Sequence, residues 1–294
     1  MGDSVGLIGL GLVGSALAER LLAAGYDVVG YDIVAEKCAH LERLGGRVAD
    51  SPAGAASQAS RVILSLLTSD IAREVIGGPA GILEAHPLPC LIIDTTTADP
   101  EASEALAELL AVRGIAYLDA TIVGSSAQIG RGEGVFLVGG EAKAVGECAD
   151  LFEALAERVF HVGPSGAGAR AKLVVNLVLG LNRAALAEGL AFAEAIGLEP
   201  AEVLPILMST MAYSRIMDTK GRKMVEGDFT PEARLAQHRK DVALILDLAA
   251  KHGQPTPLSR THLDLLDAAI EAGDGELDNS ALIRQLKRRS DLAD

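Results

Sequence analysis

Val5-Gly6-Leu7-Ile8-Gly9-Leu10-Gly11-Leu12-Val13-Gly14 decides the fold: a four-residue apolar run enters GxGxxG, and SALAERLLAAG follows with helical spacing. Strand, glycine turn and helix in that order form a cradle for a pyrophosphate. The glycines allow a tight turn, backbone approach to the phosphates and close packing of helix on strand, while the helix start offers its positive dipole end. Asp32 closes the next apolar run, VVGYD. A carboxylate there accepts hydrogen bonds from an adenosine ribose and repels a 2′-phosphate. Ile33-Val34-Ala35 supplies no arginine to neutralise such a phosphate. NAD is therefore the expected cofactor, held by Gly9, Leu10, Gly11, Leu12, Val13, Gly14 and Asp32.

Working outward, short apolar runs alternate with Ala- and Glu-rich amphipathic segments as far as about residue 162: RVILSLL, CLIID, EASEALAELLAVRG, IAYLDA and VFLVGG. This alternation predicts an α/β domain with a doubly wound sheet of parallel βαβ units, helices on both faces. After HVGPSGAG the texture becomes helical. One long helix is expected from Ala167 to Ile196, closed by Gly197, with Pro200 opening the next; RLAQHRKDVALILDLAAKHG and SRTHLDLLDAAIEAG continue the pattern. The expected organisation is thus a Rossmann-type dinucleotide-binding domain over 1–163 and an all-α domain over 164–294, the latter with a looser stretch near 212–231.

Composition narrows the function. The 294 residues are 49% hydrophobic with a mean hydropathy of +0.30, so buried cores are affordable. A net charge of −14 and a pI near 4.9 repel phosphate backbones and anionic lipid. Neither nucleic acid nor a membrane surface is an expected partner. No uninterrupted apolar run reaches spanning length, and the first residues, MGDSV, lack the positive charge of a secretory signal. The cytoplasm is the expected location. Cys38, Cys90 and Cys148 are odd in number, far apart and without a CxxC partner, and no HExxH or HxH occurs, so no metal site is expected.

Gly9 to Gly14 with Asp32, then DTTTADP at 94–100, DATIVGSSAQIGRGEGVFLVGG at 119–140, GAGARAKLVVN at 166–176 and Lys240-Asp241 resemble, in that order, the motifs of the β-hydroxyacid dehydrogenase family. That family includes 3-hydroxyisobutyrate dehydrogenase, tartronate semialdehyde reductase and, more distantly, 6-phosphogluconate dehydrogenase. The resemblance runs from Gly6 to about Asp267, and GxGxxxKxxxN (Gly166, Gly168, Lys172, Asn176) is its most specific element.

The resemblance implies that Lys172 is the general acid and base, with Asn176 orienting substrate and lysine from the next helical turn. The residue types suit the chemistry. Hydride transfer from a hydroxyl-bearing carbon leaves one proton to move, and a lysine can take it near neutral pH only where burial disfavours its charged form. The resemblance also implies that Lys240 meets cofactor and substrate charge from the helical domain. Thr96 and Thr97 would touch nicotinamide ribose or substrate, and Leu66 and Leu67 would line the adenosine side. The substrate would be a small anionic 3-hydroxy acid or its semialdehyde, taken in a cleft between the domains. A homodimer or homotetramer is expected.

Two positions depart from the family pattern. Its DAPVSGG loop is here Asp119-Ala120-Thr121-Ile122-Val123-Gly124-Ser125, so Val123 stands where a serine is usual, with Gly124, Ser125 or Ser126 left to hold the carboxylate. Ala233 stands where an aromatic commonly follows Phe229-Thr230-Pro231. Alternatives are an imine or semialdehyde reductase using NAD(P)H, and a dinucleotide-sensing module without turnover.

Overall fold

The computed structural model describes residues 3–290; the outermost residues of the two expected domains lie outside that range. The chain divides into two compact units, Met1–Lys172 and Leu173–Asp294. The division falls within one long helix.

In the first unit the elements are β1 (Ser4–Ile8), α1 (Leu12–Ala23), β2 (Asp27–Tyr31), α2 (Ala35–Arg43), β3 (Arg47–Val48), α3 (Pro52–Ala56), β4 (Arg61–Leu64) and α4 (Ser69–Gly77), then β5 (Leu91–Asp94), α5 (Pro100–Ala111), β6 (Ala116–Val123), α6 (Ser126–Gly130), β7 (Val135–Gly139), α7 (Ala142–Gly146), α8 (Ala149–Leu155) and β8 (Arg158–Gly163). The sheet order is β3-β2-β1-β4-β5-β6-β7-β8. Strand order reverses beside β1, the feature that opens a ligand crevice at the carboxyl ends of parallel strands. One apolar cluster, with Leu7, Leu17, Leu21, Ile93 and Phe136, and a second, with Ile8, Val62, Leu64, Ile76 and Ile92, make up its core. Residues facing both ways along β1, Leu7 into one cluster and Ile8 into the other, show that the sheet is covered on both faces.

The sheet is mixed rather than wholly parallel. β7 runs antiparallel to β6, pairing Asp119 with Gly139 and Val123 with Val135, and β8 is parallel to β7. The connection from β6 to β7 is short, through α6 and a glycine-rich turn, too short for the crossover that a parallel pair requires. β3 has two residues, and β8 (RVFHVG) lies at the sheet edge with all but its last residue exposed, so neither carries an apolar-run signal.

The long helix α9 (Ala167–Ala195) ends before Gly197, whose φ of +83° is left-handed, and Pro200 opens α10 (Pro200–Met208). The region expected to be loose contains a π-helical turn (Met217–Gly221) and α11 (Arg222–Glu226). α12 (Leu235–Lys251), α13 (Pro257–Glu271) and α14 (Leu282–Ser290) complete the second unit. Among its described residues the β-pairing is a single bridge, Arg234 with Asp278. By length and composition α9 could cross a membrane, although no uninterrupted apolar run has that length. Its apolar character is partly explained by Leu186, Ala187 and Leu190, which pack into the helical core.

Candidate active site

The glycine turn is built by exclusion. A Cβ on Gly9 would lie 2.2 Å from the Ser65 carbonyl oxygen after β4, and one on Gly14 would lie 1.9 Å from the carbonyl oxygen of Gly9. These two glycines close β1, β4 and α1 together. Gly11 differs: nothing lies within 4 Å of its would-be Cβ, and it forms the start of α1 without a side-chain cap. Helix N–H groups and open space thus coincide, as a pyrophosphate requires. The Leu10 side chain is in the core, 2% exposed, and its N–H donates to Asp32 Oδ2 at 2.7 Å. Leu12 is exposed and Val13 packs on the core.

Asp32 sits at the carboxyl end of β2, as expected, with its Oδ1 accepting from Val34 N at 2.9 Å. The structure adds Lys37, whose Nζ is 3.5 Å from Asp32 Oδ2. The sequence reading stopped at Ala35, yet one helical turn brings this cation back to the acid.

Beyond β4 and β5, Leu66 N donates to Thr96 Oγ1 at 3.2 Å, and Thr96 is 3% exposed. Thr96 therefore ties two strand-end loops together, while Thr97 is half-buried and Leu67 is exposed. Asp94 is buried, accepting from the Tyr117 hydroxyl at 2.9 Å and from Thr96 N, and burial raises its pKa above the usual carboxylate range.

Lys172 is placed by a residue that sequence reasoning quoted but assigned nothing. Asp119, buried on β6, accepts from Gly166 N (2.9 Å) through Oδ1 and from Ala169 N (2.8 Å) through Oδ2, so it holds the first turn of α9. Burial raises its pKa, against the pull of those two N–H donors. Gly168 lets the helix approach: its Cβ would lie 2.2 Å from the Asp119 carbonyl oxygen. One turn further, Lys172, 8% exposed, donates from Nζ to the Ile122 carbonyl oxygen at 2.5 Å. Its Nζ thus lies at the end of β6, where Val123 and Gly124 lead into the loop. Gly124 has a φ of +148°. The Ser125 hydroxyl accepts from Gln128 N at 3.3 Å in a capping box with α6, which fixes its oxygen and leaves its hydrogen and one lone pair available.

In the helical unit, Asn176 (4% exposed) donates from Nδ2 to Asp241 Oδ2 at 2.9 Å, and Lys240 Nζ is 3.2 Å from Asp241 Oδ1. Asp241 therefore joins Asn176 and Lys240, two residues that the sequence nominated separately. Ala233, in place of an aromatic, donates its N–H to Asp278 at 3.3 Å, and Phe229 packs into the helical core. Among the described residues no group of three or more potential metal ligands occurs.

A glycine turn, an acid ending β2 and a buried lysine at a strand end define a dinucleotide-binding oxidoreductase. Residues 4–163 match the model of the NAD-binding domain of 6-phosphogluconate dehydrogenase, and residues 166–286 match that of the NAD-binding domain of NADP-dependent 3-hydroxyisobutyrate dehydrogenase. The chain belongs to the β-hydroxyacid dehydrogenase family. It is 31% identical over 248 residues to the cytokine-like nuclear factor N-PAC of Aedes aegypti, covering 84% of this chain and 44% of that protein. It is 28% identical to the 2-(hydroxymethyl)glutarate dehydrogenase of Eubacterium barkeri, covering 82% and 80%. The crystal structure of 3-hydroxyisobutyrate dehydrogenase from Salmonella typhimurium superposes with a TM-score of 0.87 at 25% identity, covering 96% and 99%. The chain spans less than half the length of the N-PAC proteins it matches.

Proposed function

We propose that the protein is a dehydrogenase that transfers a hydride between NAD and the hydroxyl-bearing carbon of a small 3-hydroxy acid, or reduces the matching semialdehyde. One observation carries the reading: Lys172 is buried yet aimed, with its Nζ on the Ile122 carbonyl at the mouth of the 123–126 loop. A lysine with only a structural task has no need of that position, since burying an ammonium is costly. A bound nicotinamide would supply the hydride acceptor; in the oxidative direction the hydroxyl proton goes to the neutral amine of Lys172 at Nζ. Lys172 returns it in reduction. Asn176, held by Asp241, orients the hydroxyl, and Lys240 with the backbone of Gly124 and the Ser125 or Ser126 hydroxyl binds the carboxylate. Val123 has no side-chain donor to offer there, and Ala233 lacks the bulk of an aromatic, so an acid bulkier than 3-hydroxyisobutyrate is expected; the likeness to 2-(hydroxymethyl)glutarate dehydrogenase is in keeping with this. The three free cysteines fit a reducing, cytoplasmic setting.

NAD is proposed because Asp32 would repel a 2′-phosphate. NADP is the second reading, favoured by Lys37 beside Asp32 and by the NADP-dependent family that residues 166–286 match. A sensing module without turnover is favoured only by the N-PAC likeness. The test is NADH or NADPH formation at 340 nm with a panel of 3-hydroxy acids, in wild type and Lys172→Ala. We expect turnover with NAD preferred, and its loss in Lys172→Ala with dinucleotide affinity kept. Silence across the panel in a protein that still binds dinucleotide would favour the sensor.

A further inference from the structure

The helical unit buries a second polar group that proton transfer does not use. Arg183 is 1% exposed, and its Nη2 lies 3.3 Å from His238 Nε2 on α12. The His238 and His262 rings lie tilted by 46° with centroids 5.1 Å apart, each less than a tenth exposed. Gly180 admits them: a Cβ there would lie 2.7 Å from His238 Nε2 and 2.9 Å from His262 Cε1.

The placement relative to Asn176 gives the cluster its meaning. Asn176, Gly180 and Arg183 follow at i, i+4 and i+7 on one face of α9, and His238 and Asp241 follow at i and i+3 on α12. Two polar rungs, Asn176 to Asp241 and Arg183 to His238, therefore dock α12 antiparallel on α9, with Gly180 between them. A guanidinium only donates, so His238 Nε2 accepts and this imidazole is neutral. Burial, with Arg183 nearby, holds His262 down to about 4, so it too is neutral near pH 7. Burial also lowers Arg183 to about 10, against the pull of Asp278 and Asp241, which leaves it charged. Asp278 already pairs with Lys220 at 2.9 Å. Asp241, one turn beyond His238 on α12, also has Lys240 Nζ 3.2 Å from its Oδ1.

We propose that Arg183 is a positioning residue: by holding His238, one turn from Asp241 on α12, its buried guanidinium keeps the side-chain amide of Asn176 in one orientation. With Nδ2 tied to Asp241, the two ends of the Asn176 amide are told apart and Oδ1 is left to accept. Without Arg183 the second rung is lost, α12 is held less firmly beside Asn176, and the amide is released. The catalytic consequence rests on the function proposed above; the placement of the amide does not.

The test is hydrogen exchange of the Asn176 side-chain amide, followed by NMR in the full chain, for wild type, Arg183→Lys, Arg183→Met and Gly180→Ala. We expect slow exchange in wild type and Arg183→Lys, and at least tenfold faster exchange in Arg183→Met. Gly180→Ala, which displaces His238 and keeps the charge, should accelerate it too and serves if Arg183→Met does not fold. Unchanged exchange in a folded Arg183→Met or Gly180→Ala protein would overturn the proposal. In turnover, Arg183→Met should lower kcat about tenfold with dinucleotide Kd unchanged and add nothing to Asn176→Ala. A fall that adds in full to that of Asn176→Ala would assign Arg183 to stability alone and overturn it. If wild type turns over no substrate while the amide still responds to Arg183, the proposed activity fails and the positioning stands.

Discussion

Gly11 and Gly14 stand three residues apart and answer to opposite constraints. A methyl on Gly14 meets the Gly9 carbonyl, which is backbone and cannot yield, whereas one on Gly11 meets no protein atom. Gly14→Ala should therefore cost about 1–3 kcal/mol of stability, as overpacking does, and abolish dinucleotide binding. Gly11→Ala should keep its Tm and lose affinity alone, because the methyl would occupy the space through which a pyrophosphate approaches. Thermal unfolding and a fluorescence titration with NAD separate the two. His262 makes a second prediction at this scale. Its folded pKa of about 4 lies below the ordinary histidine value, so the unfolded chain binds the extra proton first. Stability is complete above about pH 6.5 and falls as pH drops toward 4, by up to about 3 kcal/mol. Denaturant unfolding at pH 7 and pH 4.5 should show a smaller difference for His262→Gln than for wild type; equal differences would place the proton elsewhere.

Helix α9 is the element on which the candidate site depends, and its first turn is held by the Asp119 carboxylate. Asp119→Ala leaves two buried N–H groups without an acceptor, a loss of about 1–3 kcal/mol. It should also lower kcat, since the turn it frees carries Lys172 to Ile122; Asp119→Asn, which keeps one acceptor, should fall between. Unfolding curves with steady-state rates check both. Elements of this kind mark the limit of what periodicity tells. β1, β2, β4, β5, β6 and β7 carry apolar runs, and α9 carries a closing glycine and a following proline, so they were legible. β3 is too short, and β8 presents its side chains to water, so neither had a signal. The reversal of β7 is dictated by connection length, which an apolar run does not encode. Lys172 and Asn176 were nominated by the resemblance to a family, and Asp32 and the glycines by their spacing around β1 and β2. Lys37, Asp119 and Asp241 act through contacts that folding creates, and a polar residue in sequence does not announce its partner.

At the scale of the whole molecule, α9 leaves an apolar side uncovered: Val174 is 64% exposed, Val178 52% and Phe192 63%. Large exposed apolar stripes mark association surfaces, and we propose a homodimer or homotetramer through this face. Light scattering after size exclusion should give a multiple of 30.4 kDa for wild type and smaller species for Phe192→Glu with Val178→Glu; a wild-type monomer would sink the proposal. The same unit has its polar content inside, in Arg183, His238, His262, Lys220 and Asp278, which composition could not reveal. The far end of the sheet has a different consequence. β8 closes the strand order with one side paired to β7, and Val159, Phe160 and Val162 on it are open to solvent. An unpaired, sticky margin of that sort is a seed for accretion: in a heated or concentrated stock, chains would join sheet to sheet there. Phe160→Lys, which puts a repelling charge on the margin, should delay turbidity without touching the chemistry.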